Sequence, residues 1–318
     1  MTAISPADAK LNLGPPQRFG SLSCRPVASI IIRTFNEAHH LPAVLAQVAT
    51  QVGLPAGNNL EIIVVDSGSS DKTVEIANKA GARVLTIPRE EFTFGRSLNL
   101  GCEAARGEFL VFISGHCIPQ ESSWLEKLLF PFHDLSVGMT YGRQIGGPES
   151  YFSETRVFAK YYPPESPSQG PTFCNNANAS IRRSLWRRFR FNEDLTGLED
   201  LAMAKKLNEA GFRISYAPNA LVEHLHEESW AQISRRYERE AIALQVIQPE
   251  IHFYASDAVC CFGSAVLSDA IAAVTQGRFG CLGSIIAYRW NQFYGSWRGH
   301  RLHRRLSQQE KLRYFYPA

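Results

Sequence analysis

Five short stretches of this 318-residue chain carry side chains able to do chemistry. Thr34-Phe35-Asn36-Glu37 and Asp66-Ser67-Gly68-Ser69-Ser70-Asp71 supply hydroxyls, an amide and carboxylates. A rim of such groups can read a nucleobase through hydrogen bonds and hold a diphosphate through a metal ion. Ser114-Gly115-His116 supplies an imidazole and no carboxylate. Leu198-Glu199-Asp200-Leu201 puts two carboxylates at a helix start, where the dipole favours the ionised form. His224 and His226 alternate, so on an extended segment they share a face. Each stretch also has an ordinary reading. Asp200 can be a first-turn carboxylate, Asp66 the cap of its own turn, Asn36 or Glu37 a helix cap. Two strand histidines need not hold a metal.

Alternating strands and helices must position these groups. The run Leu110-Val111-Phe112-Ile113 is apolar without alternation, which suits a strand covered on both faces. It stops at Ser114-Gly115. Ahead of it, the pattern predicts strands over 27–33, 60–65 and 83–87. Between them come a helix carrying Leu41, Val44, Leu45 and Val48, a turn-rich link over 53–59, and a helix over 74–80 stopped at Gly81. A further helix carries Leu98, Leu100, Cys102 and Ala105. The expected fold is α/β, a Rossmann-like, mostly parallel central sheet with helices on both faces. The polar loops all follow strands and so converge on one sheet edge, where open α/β sheets bind ligands. No G-x-G-x-x-G or G-x-x-x-x-G-K-[ST] pattern follows the first strand, which argues against a dinucleotide enzyme or a P-loop phosphotransferase.

The later chain is less regular. A helix is expected over 124–132, a loop over 142–148, and a mobile Pro-rich loop over 163–171. Asn175, Asn176 and Asn178 follow, then a helix opening at Leu198 and capped by Gly211, and a charged helix from Trp230. Beyond Tyr254, Ala258, Leu267, Ile271, Val274, Ile285 and Ile286 suggest helices with apolar faces. Basic Arg289, Arg298, Arg301, Arg304 and Arg305 lie among Trp290, Phe293, Tyr294 and Trp297. Such helices can lie on an anionic membrane, or pack on the domain or dimerise. Asp257, Asp269 and Arg278 interrupt the apolar stretch 255–287, so no spanning run is expected. The division is a loose lead-in over 1–26, a domain over 27–253 with halves 27–119 and 120–253, and an extension over 254–318. A net charge of +3 is too small to imply nucleic acid. Seven cysteines without a C-x-x-C pair fit reduced thiols and a cytoplasmic place, at the inner face of the membrane where the extension touches it. No signal-peptide pattern is seen.

In their order these motifs resemble the inverting family-2 glycosyltransferases of the GT-A fold. Thr34-Phe35-Asn36-Glu37 looks like the first nucleotide loop, and Val64-Val65-Asp66-Ser67-Gly68-Ser69-Ser70-Asp71-Lys72-Thr73 like the second. Phe94-Gly95-Arg96-Ser97-Leu98-Asn99-Leu100-Gly101 resembles a segment of the rhamnosyltransferase-like branch. Gly142-Arg143-Gln144, Asn175-Asn176-Ala177-Asn178 and Gly197-Leu198-Glu199-Asp200 continue the match. The resemblance implies a nucleotide-diphosphate sugar donor, carried on UDP or dTDP, and a glycan or lipid-linked acceptor at the cell envelope. It implies Asp200 as general base, with Glu199 orienting the acceptor. Thr34, Phe35, Asn36, Glu37, Asp66, Ser67 and Arg96 would contact the nucleotide. Asn175, Asn176 and Trp186 would face sugar, Trp186 being equally readable as a core residue. The family's D-x-D motif, which holds a divalent cation, is replaced by Ser114-Gly115-His116. Two readings follow: a cation, Mn²⁺ or Mg²⁺, held by His116 with His226 or His224, or a metal-free site where His116 or a basic residue meets the diphosphate. The rival from another class is an inert glycan-binding or scaffold protein that kept the fold and lost the metal.

Overall fold

Odd and even residues of the first strand part company, as period-two geometry requires. Ile31 joins one apolar core with Ile63, Val65, Leu98, Leu110 and Phe112. Ile30 and Ile32 join a second with Leu41, Val44, Val64, Val111 and Ile113. Both faces of the sheet are therefore covered, which is why these runs show no alternation. The computed structural model describes residues 26–53, 60–165 and 170–301. The lead-in, most of the turn-rich link, the centre of the Pro-rich loop, and Arg304 and Arg305 lie outside the described residues.

The strands are β1 (Ala28–Thr34), β2 (Leu60–Asp66), β3 (Arg83–Thr86), β4 (Phe109–Ser114), β5 (Cys117–Pro119), β6 (Val137–Gly146), β7 (Asn178–Arg182) and β8 (Arg213–His224). The helices are α1 (Leu41–Ala49), α2 (Thr73–Lys79), α3 (Phe94–Ala104), α4 (Trp124–Leu129), α5 (Phe152–Tyr161), α6 (Arg183–Phe189), α7 (Glu199–Glu209), α8 (Trp230–Ile247), α9 (Ala255–Thr275) and α10 (Leu282–His300). They build one eight-stranded sheet of order β3-β2-β1-β4-β7-β6-β8-β5. β1 to β4 are mutually parallel where they pair, and β6 is parallel to β8. β7 runs against β4 and β6, and β5 against β8. The register sets Thr34 opposite Asp66 and Arg33 opposite Ser114, so three strand ends finish level.

Two expectations need correction. Residues 142–146 are not a loop but the end of β6. Gly142 reads as a turn residue, yet it is there because the Ala220 carbonyl and the Asn178 amide lie 2.3 Å from where a Cβ would sit. The apolar stretch after residue 254 also contains more than interrupted segments. α9 is long and apolar enough to cross a bilayer by length and composition. Both of its carboxylates have partners. Asp257 caps the helix, accepting from the Tyr254 N–H at 2.8 Å. Asp269 is buried between Arg156 (2.6 Å) and Arg289 (2.8 Å).

Asn178 ties the two halves of the sheet together. Its Oδ1 accepts from the Trp124 indole N–H at 3.0 Å, and its Nδ2 donates to the carbonyls of Arg143 (3.1 Å) and Ala220 (2.8 Å). Replacing it by Ala strands a buried indole N–H and two carbonyls. Asn178→Ala should cost about 2–4 kcal/mol, read as a lower urea midpoint at unchanged m-value. An unshifted midpoint would refute this fastening role.

Candidate active site

The level strand ends place three polar loops side by side. The Asp66 carboxylate organises the first two. It is buried, and its oxygens accept from the Gly68 and Ser69 N–H groups at 3.0 and 2.9 Å, from the Ser69 hydroxyl, and from the Thr34 hydroxyl at 3.2 Å. Four donors fill a carboxylate's lone pairs, so the turn-capping role is the one on view. Ser67 bonds the Thr34 carbonyl through its backbone and its hydroxyl, both at 3.1 Å. Asn36 sits at φ +56°, a left-handed conformation that asparagine tolerates. Its amide oxygen takes the Ser70 N–H at 2.8 Å. Phe35 is half-buried against the core.

Ser114-Gly115-His116 folds over this rim because residue 115 has no side chain. A Cβ there would lie 2.9 Å from Glu37 Cγ and 3.1 Å from Thr34 Cγ2. The chain then pairs as β5 with the end of β8, Cys117 opposite His224, and the Leu225 N–H donates to the His116 carbonyl at 3.0 Å. That pairing brings three imidazoles together. The ring centroids of His116 lie 5.1 Å from His224 and 5.6 Å from His226, and those two are 4.0 Å apart. Each ring offers one nitrogen within 4.8 Å of the other two.

Every one of the three has its Nδ1 engaged. His116 donates to Glu37 Oε1 at 2.6 Å, His226 to Glu154 Oε1 at 2.8 Å, and His224 bonds Gln144 Oε1 at 2.7 Å. The direction of the last bond follows from its neighbours. Asn175 Oδ1 accepts the Ala177 N–H at 2.9 Å, so Gln144 must turn its Nε2 toward it, at 3.2 Å. Gln144 Oε1 is left to accept from His224 Nδ1–H, and Nε2 of each ring stays free. Burial, then the neighbouring imidazoles of His226 and His116, holds His224 well below the usual histidine range, hence neutral. Burial pulls His116 down too, but Glu37 outweighs it and the net shift is upward. Imidazoles whose Nδ1–H groups are oriented by oxygen acceptors are the chemistry of a transition-metal donor set, so a divalent cation fits these residues.

Asp200 stands at the other end of a short hydrogen-bond chain. His224 reaches Gln144, Gln144 reaches Asn175, and the next residue, Asn176, donates its backbone N–H to Asp200 Oδ2 at 2.8 Å. Asp200 Oδ1 accepts from the Leu201 N–H at 2.8 Å. Burial, and then the Glu199 carboxylate beside it, raise Asp200 to about 7 despite those two bonds. Leu198 in the left-handed conformation (φ +55°) starts α7 and aims both carboxylates inward. Glu199 is ion-paired with Arg33 at 3.1 Å, and Arg33 and Arg239 lie over the Phe94 ring at 5.2 and 4.5 Å. The Asn176 side chain is buried with both amide atoms unpartnered, next to Asp200.

The sequence-predicted residues thus divide. Thr34, Phe35, Asn36, Glu37, Asp66 and Ser67 form one rim with the 114–116 loop. Asn175, Asn176, Glu199 and Asp200 form the adjoining wall. Two residues stand apart. Trp186 is a core residue, its indole N–H donated to Asn99 Oδ1 at 3.0 Å. Arg96 lies on the outside of α3 in an exposed ion pair with Glu91. Sequence reasoning missed Arg33, Glu154 and the part played by Gln144. Gln144 lay inside a recognised motif, but nothing in the spacing linked it to His224. Glu154 carried no signal, its ties being to Arg236 at 3.2 Å and to His226.

Known proteins agree with this architecture. The O-antigen chain rhamnosyltransferase RfbN of Salmonella typhimurium is 27% identical over 224 residues, covering 66% of this chain and 69% of that protein. The O-antigen chain rhamnosyltransferase WbaN of Salmonella anatum is 29% identical, covering 56% of this chain and 60% of its own length. Among solved structures, the Pyrobaculum calidifontis mannosyltransferase PcManGT, in complex with GDP-Man and Mn²⁺, superposes with a TM-score of 0.62 at 18% identity over 86% of each chain. The profile of Glycosyl transferase family 2 matches residues 29–190, more than half of the chain. Taken with the sheet and its loops, this match makes the chain a member of glycosyl transferase family 2, and a glycosyltransferase.

Proposed function

We propose that the protein is an inverting transferase that moves a rhamnosyl or related hexosyl group from a UDP- or dTDP-linked donor to a hydroxyl of a growing cell-surface glycan. The sugar is suggested by the rhamnosyltransferase relatives. The observation that carries the reading is a buried carboxylate, Asp200, poised near neutrality beside the unpartnered amide of Asn176. A general base works best with a pKa near the working pH. The acceptor O–H proton passes to Asp200, its oxygen bonds the anomeric carbon, and the bond from that carbon to the diphosphate breaks on the opposite face. The electron pair leaves on the diphosphate oxygen. Asn176 is suited to hold a sugar hydroxyl with one amide atom as donor and the other as acceptor. Glu199, held by Arg33, keeps Asp200 basic and the wall fixed. The rim of Thr34, Phe35, Asn36 and Ser67 takes the nucleotide, with Asp66 fixing that rim from beneath. A divalent cation at His116 and His226 would neutralise charge on the diphosphate.

The outer helices suit an acceptor at a membrane. Val259, Leu267, Ile271, Phe279, Ile286 and Trp290 are exposed on α9, the turn after it and α10. Exposed Arg278, Arg298 and Arg301 flank them, while Asp269 turns inward. Aromatic and apolar residues edged by arginine match an anionic bilayer surface. α9 lies on that surface rather than through it, because crossing would break the Asp269 pairs with Arg156 and Arg289.

The base is the ionised form, so activity must rise as pH climbs through the Asp200 pKa. Log kcat/KM should rise with unit slope to about 7 and then level. Asp200→Asn should lower kcat/KM by roughly 10²–10⁴, measured as nucleotide release from a panel of donors. A flat profile, or full activity in that variant, would exclude this base. Separately, the protein should cosediment with phosphatidylglycerol vesicles and much less with phosphatidylcholine. Ile286→Glu with Trp290→Glu should lower that binding by at least about 10-fold, since each charge opposes insertion. Equal binding to both vesicles, or dimerisation lost in the double variant, would assign the face elsewhere.

A further inference from the structure

We propose that His116, His224 and His226 together form a three-imidazole cation site that selects a nitrogen-preferring ion, Zn²⁺ or Co²⁺, over Mg²⁺. The inference rests on the reading of this cleft as the donor-diphosphate site, but concerns the protein's own ligands. Three observations carry it. The three rings each bring a nitrogen within 4.8 Å of the others. All three Nδ1 atoms are committed to oxygen acceptors, so one tautomer is fixed at every ring and Nε2 is the atom left to bind. The 114–116 loop contributes no carboxylate, so nitrogen replaces oxygen at the place nearest the rim.

Donor chemistry then decides the ion. Mg²⁺ demands oxygen ligands and surrenders water reluctantly. Imidazole suits zinc, copper, iron and nickel, and affinity for such sites climbs from Mn²⁺ through Co²⁺. A cation held by three protein nitrogens keeps a position for a substrate oxygen. Glu37, Glu154 and Gln144 are positioning residues here. Each holds an Nδ1–H, which orients the ring and raises its donor strength. Glu154 is itself held by Arg236, and Arg236 by Glu228 at 2.7 Å.

The test is metal binding to the full chain, stripped with chelator and titrated with Co²⁺, Zn²⁺ and Mg²⁺. One equivalent of Co²⁺ should bind, with a visible absorption band, at least about 100-fold more tightly than Mg²⁺. His116→Ala, at the most solvent-exposed of the three rings, and His224→Ala should each weaken Co²⁺ by at least about 10-fold and change the band. Gln144→Leu should weaken it by roughly 10–100-fold, and Gln144→Glu, which keeps an acceptor for Nδ1–H, should restore it. Comparable Mg²⁺ and Co²⁺ affinities, or a Co²⁺ band unchanged by His116→Ala, would overturn the proposal. Full Asp200-dependent turnover after thorough chelation would also overturn it while leaving the transferase reading intact. Loss of turnover with Co²⁺ binding intact would count against the transferase reading alone.

Discussion

The antiparallel pairing of β5 with the end of β8 is the constraint on which the site depends. It is only three residues long, Cys117 to Pro119 against Val222 to His224. β4 ends at Ser114, and without this pairing its loop would have no fixed direction. With it, the backbone of His116 is locked to Leu225, and imidazoles a hundred residues apart in sequence become neighbours. Gly115 makes the turn small enough, since any side chain there would strike Glu37 and Thr34. The pairing therefore joins the 114–116 loop to the segment leading into α8.

The second constraint is electrostatic. Asp200 and Glu199 are adjacent, both buried, and both formally anionic. One arginine, Arg33, is committed to Glu199. The fold thus sets a cation against Glu199, while burial and then the Glu199 carboxylate raise Asp200. Two backbone N–H groups are aimed at Asp200, but they do not offset burial. An inert scaffold would have little reason to keep a carboxylate in so unfavourable a setting, whereas proton transfer at neutral pH has a direct use for it.

Much of the stretch 27–119 was legible because it is built from local signals. Unbroken apolar runs at Ile30-Ile31-Ile32 and Leu110–Ile113 suited buried strands, and in a parallel sheet the loops after them share an edge. The alternation of His224 and His226 likewise predicted a common face. The chain beyond residue 120 was less legible because its order comes from contacts distant in sequence. Gly142 looked like a turn, though the Ala220 carbonyl dictates it. Trp186 was readable as a sugar platform or as a core residue, and the choice is made by Asn99, which holds it in the core. Asp269 looked like an interruption of an apolar stretch, though Arg156 and Arg289 remove it from the surface. In each case a side chain's partner lies dozens of residues away, and periodicity carries no information about it.

The same layering explains how a family-2 cleft can lack a carboxylate at the tip of its β4 loop. In the proposed site the acids have not vanished. Glu37 comes from the first strand's loop and Glu154 from α5, and each stands behind an imidazole instead of in front of it. A cation there would still feel two nearby negative charges, so electrostatic attraction is retained. What changes is the atom it touches, from oxygen to nitrogen, and with it the class of ion preferred. Substitution of one loop residue would not achieve that alone. It needs His224 in register through β5, Gln144 oriented by Asn175, and Glu154 steadied by Arg236. The preference of such a site for one ion over another would thereby depend on residues from several elements, and only its histidines, not the groups that orient them, could be read from the sequence.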